Sequence, residues 1–227
     1  MQLFTHVTHE SVKRPFVEML PRTDGHYYKT ESGSIYPSIT TVIKLFTKSG
    51  IDIWRNKIGW ENADRISKES TDVGTKLHEF IEIFLNNSAK TPSFDESQYI
   101  ISPVKLFNAV KHALADINNI HATEMKLYSD TLGLAGTVDC VAEYEGVLSI
   151  IDFKNSRKPK TKSRVKNYAI QTAAYATMWR ECIGHDIKQG VVIIANWDMT
   201  VSIFKFKIDD YMKDLWQMLV SYNEINA

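Results

Sequence analysis

Cysteine is almost missing from this chain, which has only Cys140 and Cys182. Two thiols are too few for a disulfide framework, a tetrathiolate zinc site or a four-cysteine iron–sulfur cluster, so any metal must sit on oxygen or imidazole ligands. Long apolar runs are missing as well, and no stretch approaches the ~20 residues needed to cross a bilayer. The opening MQLFTHVTHESVKRPF has neither the apolar centre of a secretory signal nor the Arg/Ser-rich, acid-poor character of a transit peptide. The sequence therefore reads as intracellular and soluble, with the cytoplasm as its expected place. An excess of one charge is also missing. The 27 basic and 27 acidic side chains cancel, so the field of the whole molecule gives no reason to expect a nucleic-acid partner. Local distribution has to carry that case.

What is present is ordinary globular composition over 227 residues, 44% hydrophobic and 24% charged, with no repeat, low-complexity tract or linker. One domain with a real core is expected. Residues 21–37 are polar and rich in turn formers, ending at Tyr36-Pro37-Ser38, where the serine can cap a helix. Helical spacing predicts a short helix over 39–46, a second over 51–67 carrying Trp54, Ile58, Ala63 and Ile66, and a third opening near Gly74. A polar loop at 86–98 precedes a fourth helix marked by Val104, Phe107, Val110, Leu114 and Ile117. The period then switches to extended. Strands are predicted at 122–129, 134–144 and 147–153, separated by turn signals at 130–133 and at Glu145-Gly146, as an antiparallel meander. A helix over 165–182 follows, with Val165, Tyr168, Thr172, Tyr175, Ala176 and Trp179 as its buried stripe, then strands at 189–196 and 200–207 and a last helix from Asp209. The order predicts an α/β (α+β) fold with helices packed on a sheet.

The informative stretch is GTVDCVAEYEGVLSIIDFKN, residues 136–155. If Glu145-Gly146 is a two-residue hairpin turn, Tyr144 pairs with Val147, and stepping outward sets Asp139 opposite Asp152. Two like charges facing one another across a sheet are destabilising unless something compensates, and a divalent cation does so. Lys154, two residues beyond Asp152, projects to the same face. An exposed hairpin face with cross-strand ion pairs would carry the same residue types. Against that reading, Asp152 follows the apolar run Val147-Leu148-Ser149-Ile150-Ile151, typical of a strand covered on both faces, where an unpaired carboxylate is expensive. Two carboxylates plus the backbone carbonyl of Phe153 make an open site for a hard cation such as magnesium. Such a site can activate water, and a lysine beside it can stabilise charge developing on phosphorus.

With Gly136-Thr-Val-Asp139, Ile150-Ile-Asp152-Phe-Lys154 and Gln171-Thr-Ala-Ala-Tyr175 in order, the chain resembles the PD-(D/E)XK nuclease superfamily in its RecB-like exonuclease branch. Upstream, Gly74-Thr-Lys-Leu-His78-Glu-Phe-Ile-Glu82 looks like the helical G-x-x-x-H motif of that branch. Tyr36-Pro-Ser-Ile-Thr-Thr-Val42 looks like the "PSVT" segment of phage exonucleases and their mitochondrial relatives. The resemblance runs from about residue 27 to 176. It implies a restriction-endonuclease-like mixed sheet, with residues 73–227 as the nuclease core and 1–72 as a helical and loop region that forms the DNA channel. It also implies His78 as a metal ligand, Gln171 as a residue positioning Lys154, phosphate or water, and Mg2+ or Mn2+ as cofactor. The second acidic position is Asp152 where glutamate is commoner. The cysteines of the cluster-bearing members are absent.

Several further residues have both a structural and a functional reading. His78 and Glu82 lie four apart on one helical face with Glu79 turned away. Tyr175 fits the packing stripe as well as the motif, and Glu124 is either a surface carboxylate or the acidic position before the G-x-x-D strand. No acidic residue occurs between Phe153 and Arg180, whereas Arg157, Lys158, Lys160, Lys162, Arg164 and Lys166 follow Lys154 closely. Such a strip binds a phosphate backbone without reading sequence. Tyr27, Tyr28, Tyr36, Trp54 and Trp60 are core aromatics or platforms for unpaired bases. The leading expectation is a metal-dependent exonuclease of single-stranded DNA, ends or flaps in replication, recombination or repair, with no membrane association. A structure-specific endonuclease of the same fold and a non-catalytic DNA-binding module are the competitors.

Overall fold

A computed structural model of the protein describes residues 3–8, 15, 17–90 and 92–226. Three short antiparallel strands come first: β1 (Val17–Arg22), β2 (Gly25–Thr30) and β3 (Ile35–Pro37). By sequence this polar stretch reads as turns. Its strands have little apolar alternation, and they pair because Tyr28, one of their few buried residues, packs with Val17 against Ala135 of the main sheet.

Two long helices follow, α1 (Ile39–Ile58) and α2 (Trp60–Leu85). Ser38 starts the first, its hydroxyl accepting from the Thr41 N–H at 3.0 Å. The expected breaks near residue 50 and before Gly74 do not occur, since one glycine in a helix is tolerated. The break falls at Gly59, whose φ of 86° and ψ of 140° form a conformation that side chains disfavour. A boundary drawn between residues 72 and 73 therefore lies inside α2.

Helix α3 (Pro103–Leu114) opens with Ser102 as cap and proline in its first turn. Ile117, expected to end that helix, instead starts the main sheet. The sheet has the order β4 (Ile117–Ser129), β5 (Leu134–Tyr144), β6 (Val147–Ser156), β7 (Gln189–Asn196) and β8 (Val201–Lys207). The first three strands are the expected meander. Glu145 and Gly146 both take positive φ, 51° and 77°, as a tight two-residue hairpin turn requires.

Helix α4 (Lys166–Ile183) then carries the chain across the sheet so that β7 runs parallel to β6, and β8 returns antiparallel. Helix α5 (Asp209–Asn226) closes the chain. The sheet is covered on both faces. Val138, Ile150, Met178, Trp179 and Leu215 fill the side of α4 and α5, while Leu77, Leu106, Cys140, Ile151 and Ile193 fill the side of α2 and α3. Every residue from Ala169 to Trp179 is buried, because α4 lies between the sheet and the helices α1 and α5. The sequence predicts a single buried stripe there, and Val165 belongs instead to a short 3-10 turn ahead of the helix.

At the outer edge of β4, Thr5–Val7 runs alongside: the Ile120 N–H donates to the Thr5 carbonyl and the Val7 N–H to the Ile120 carbonyl, both at 2.8 Å. Asn87 holds this segment through both polar atoms of its amide, at 2.8 Å from the backbone of Phe4. No helix among the described residues is long and apolar enough to cross a membrane.

Candidate active site

The hairpin ladder runs from Tyr144↔Val147 to Cys140↔Ile151, so its next step is Asp139 and Asp152. There the backbone pairing stops, and a side chain takes over. Asp139 Oδ2 accepts from the Phe153 N–H at 2.8 Å. At the same point the alternation of faces slips by one residue. Val138 packs on the α4 side, but Cys140, Ala142 and Tyr144 pack on the α2 side; in β4, Ala122 and Met125, three apart, share the α4 side. Strands alternate with a period of two, so both have turned over together, at Asp139 and at Glu124. Glu124 has the left-handed φ of 46° that such a kink needs.

Asp152 is 1% exposed. Lys154 Nζ lies 2.5 Å from its Oδ1, while Oδ2 is buried with no hydrogen-bond partner among the described residues. Burial pushes the Asp152 carboxyl up, Lys154 pulls it back down, and Asp139 adds to the upward push. Burial alone would lower the Lys154 ammonium, but Asp152 and then Asp139 hold it above its ordinary value. The ring of Tyr168, 5.4 Å away, covers it further.

Helix α2 delivers His78 to the other side of these groups. Its Nε2 lies 2.9 Å from the Phe153 carbonyl, and its Nδ1 lies 3.7 Å from Glu124 Oε1 and 3.8 Å from Asp139 Oδ2. Burial would depress the imidazole, yet Asp139 and then Glu124 raise its pKa to about 9. The helix can come this close because residue 74 is glycine: a Cβ there would stand 2.6 Å from Asn155 Nδ2. That amide in turn donates to the Ser70 carbonyl at 3.1 Å and accepts from Trp197 Nε1 at 3.0 Å, tying β6 to α2 and to the end of β7.

The expected residues therefore converge, with some changes of partner. Asp139, Asp152, Lys154, His78 and the Phe153 carbonyl meet, and Glu124 joins them from β4. His78, Glu124 and Asp139 offer ligand atoms within 4.8 Å of one another. One imidazole, two carboxylates and the orphaned oxygen of a third fit a hard divalent cation. Glu82 stands beside them, its carboxyl raised by burial and then by Glu124 and Glu79. Glu79 is not turned away as expected. It lines the same opening of about 600 Å³ with Gly74, Thr75, His78, Glu82 and Glu124, its carboxylate paired with Lys76 at 2.5 Å.

Gln171 and Tyr175 are buried on α4. The Tyr175 phenol is pushed well up by burial and then by the two aspartates, with Gln171 beside it pulling the other way. Tyr175 needs Gly136, where a Cβ would meet its Oη at 2.9 Å.

The basic strip divides. Lys158, Lys162 and Arg164 are exposed. Arg157 pairs with Glu69 at 2.5 Å and covers the Trp197 ring at 4.2 Å; Lys166 pairs with Asp214 at 2.8 Å, and Lys160 lies over Tyr168. Sequence reasoning missed Asn155, Tyr168 and Trp197. Trp197 reaches the site only through the parallel pairing of β6 and β7, which local sequence does not encode.

The chain is 28% identical over 177 residues to mitochondrial genome maintenance exonuclease 1 of Homo sapiens, covering 73% of this chain and 50% of that protein. The protein of the same name from Mus musculus is 24% identical over 195 residues, covering 79% and 55%. That from Xenopus tropicalis is 32% identical over 116 residues, covering 48% and 32%. The chain thus spans about half the length, or less, of the curated relatives it matches. The family model of the PD-(D/E)XK nuclease superfamily matches residues 55–209, more than half of the chain and all of the candidate site described above, and the protein belongs to that superfamily.

Proposed function

We propose that this protein is a metal-dependent DNA exonuclease acting on single-stranded DNA or on single-stranded ends and flaps, in replication, recombination or repair. The observation that carries the reading is the buried Asp152 carboxylate. One of its oxygens is held by Lys154 and the other has no hydrogen-bond partner among the described residues, in a place where an uncompensated carboxylate is costly. Asp139, Asp152, Glu124 and His78 would hold the cation, with the Phe153 carbonyl at their side, and magnesium or manganese suits such donors. A bound divalent ion supplies Lewis acidity to a phosphodiester and to water beside it.

The chain's own residues do the rest. Lys154, fixed by Asp152 at 2.5 Å, keeps its proton and sets a full positive charge where negative charge grows on the attacked phosphoryl group. Asp139 anchors the Phe153 N–H and so fixes the backbone that presents both Asp152 and Lys154. Gln171 and Tyr175 hold the floor behind the two aspartates. Residues 1–72, with their small sheet and the first helix, would guide the strand towards the core formed by 73–227. Two free cysteines, Cys140 buried and Cys182 half-buried, accord with a reducing, intracellular setting.

The test is cleavage of an end-labelled single strand with magnesium, with EDTA, and by Asp152→Ala and Lys154→Ala. Loss of cleavage in the last three is expected, by a factor of at least ~100 for Lys154→Ala. Persistent cleavage by both variants would remove this site from the reaction. A circular single strand should survive, and its degradation would make the enzyme an endonuclease. Calorimetry that detected no divalent-ion binding would leave only a DNA-binding module.

A further inference from the structure

A second cleft lies apart from the acidic site and shares none of its residues. It holds about 700 Å³ between β2, the outer side of α1 and the end of α5. Tyr27, Trp60 and Tyr222 bring three aromatic rings to it from three distant parts of the chain, and Lys44, Lys48 and Arg55 bring three cations, of which Arg55 is paired with Asp64 at 2.8 Å. Trp60 is 52% exposed, although Arg55 lies over its ring and its indole N–H donates to Asn56 Oδ1 at 3.0 Å. Of the five aromatics that the sequence offered as platforms for bases, only Tyr27 and Trp60 line this cleft. Tyr28 is buried, and Tyr36 is tied to Asp130 at 2.7 Å.

The charges are arranged for an anion. Lys44 and Lys48 sit four apart on one face of α1, where like charges repel unless something between them compensates. Arg55 lies over the Trp60 ring at 5.0 Å and Arg22 over the Tyr27 ring at 4.4 Å, so a guanidinium flanks each ring. Two acids, Asp24 and Asp52, share the wall. Asp24 is engaged by the Tyr27 hydroxyl at 3.1 Å. Alternating rings and cations in one cleft match a polymer that alternates flat bases with phosphates.

We infer that this cleft, lined by Tyr27, Trp60, Lys44 and Lys48, binds a segment of single-stranded nucleic acid at a distance from the catalytic centre, stacking a base on Trp60 and seating phosphates on the two lysines. The inference deepens the nuclease reading by giving the strand a second anchor, and it rests on that reading only for the identity of the strand as substrate.

The experiment uses the whole chain in EDTA, so that nothing is cut, and an oligo(dT) strand long enough to span both sites. Binding is followed by tryptophan fluorescence and by anisotropy of a 3′-labelled strand across a salt series. Trp60→Phe should lose most of the quenching, and Trp60→Ala should weaken binding on the order of tenfold. Lys44→Glu with Lys48→Glu should lower the salt slope of log Kd by about 1.4, the figure for neutralising two phosphates of a single strand. Unchanged quenching, affinity and slope in these variants, in a protein that still cuts DNA with magnesium, overturn the cleft and leave the catalytic reading intact. A wild-type chain that never cuts DNA, yet binds it through Trp60 and the lysines, supports the cleft and overturns the catalytic reading.

Discussion

His78 shows how one side chain can be set by its neighbours. Its pKa is raised from 6.5 to about 9 by Asp139 and Glu124 against the opposing effect of burial, so folding favours the charged ring. That contribution is fully present below 6.5 and is lost as pH rises through 9. In EDTA the melting temperature should therefore fall between pH 6.5 and 9, and His78→Gln should flatten the fall. Equal slopes in both proteins would show that the ring does not carry this charge. Gly136→Ala is a second case. A methyl group there meets the buried Tyr175 phenol at 2.9 Å, and overpacking of this kind costs about 1–3 kcal/mol, to be read from urea midpoints. Asp139, Asp152 and Lys154 were legible in the sequence because hairpin arithmetic needs only a two-residue turn and a period of two. Glu124 could be named only through the resemblance and with a surface carboxylate as its equal alternative, since its place depends on a left-handed residue and a slip in two strands, and no side-chain pattern announces either. Glu79 escapes sequence reasoning for a related cause: a helical wheel gives the angle of a side chain but not the width of the opening it meets.

At the scale of elements, the strands and α4 were legible to within a few residues because the apolar patterns around them are long and bounded by turn residues. The helices before them divide differently from their sequence pattern, which suggests breaks at Thr47–Gly50 and near Gly74. Thr47 bonds back to the carbonyls of Ile43 and Lys44, and the helix runs through a segment that reads as a loop. The true break rests on Gly59, whose backbone conformation is essentially reserved for glycine. Gly59→Ala should lose about 1–3 kcal/mol of stability, measurable by chemical denaturation, whereas Gly50→Ala, helical with open space at its Cβ, should be neutral or stabilising by up to ~1 kcal/mol. The small β1–β3 sheet was illegible because its strands are polar and gain their burial from Ala135, far along the chain.

For the molecule as a whole, a formal charge of zero means that the proposed attraction to DNA has to come from local groups. The exposed Lys158, Lys162 and Arg164 follow directly on the strand that carries Lys154. Replacing all three by glutamate should reduce the salt slope of strand binding by about 2, at roughly 0.7 for each phosphate no longer neutralised, while Lys166, held by Asp214, should matter less. The general order of helices, meander, crossing helix and strands was readable because the apolar pattern changes period at each boundary. The parallel partnership of β6 with β7 was not. It is decided by α4 packing across the sheet, and it alone brings Trp197 to Asn155. The short run Thr5–Val7 beside Ile120 has a consequence for how copies of the chain behave towards each other. It occupies backbone donors and acceptors that would otherwise face outward in a row, and such a row recruits the same row from another molecule. A chain shortened by its first eight residues, which gives up Phe4 from the α2 side of the core, should self-associate as concentration rises, with light scattering increasing while the unshortened chain stays dispersed.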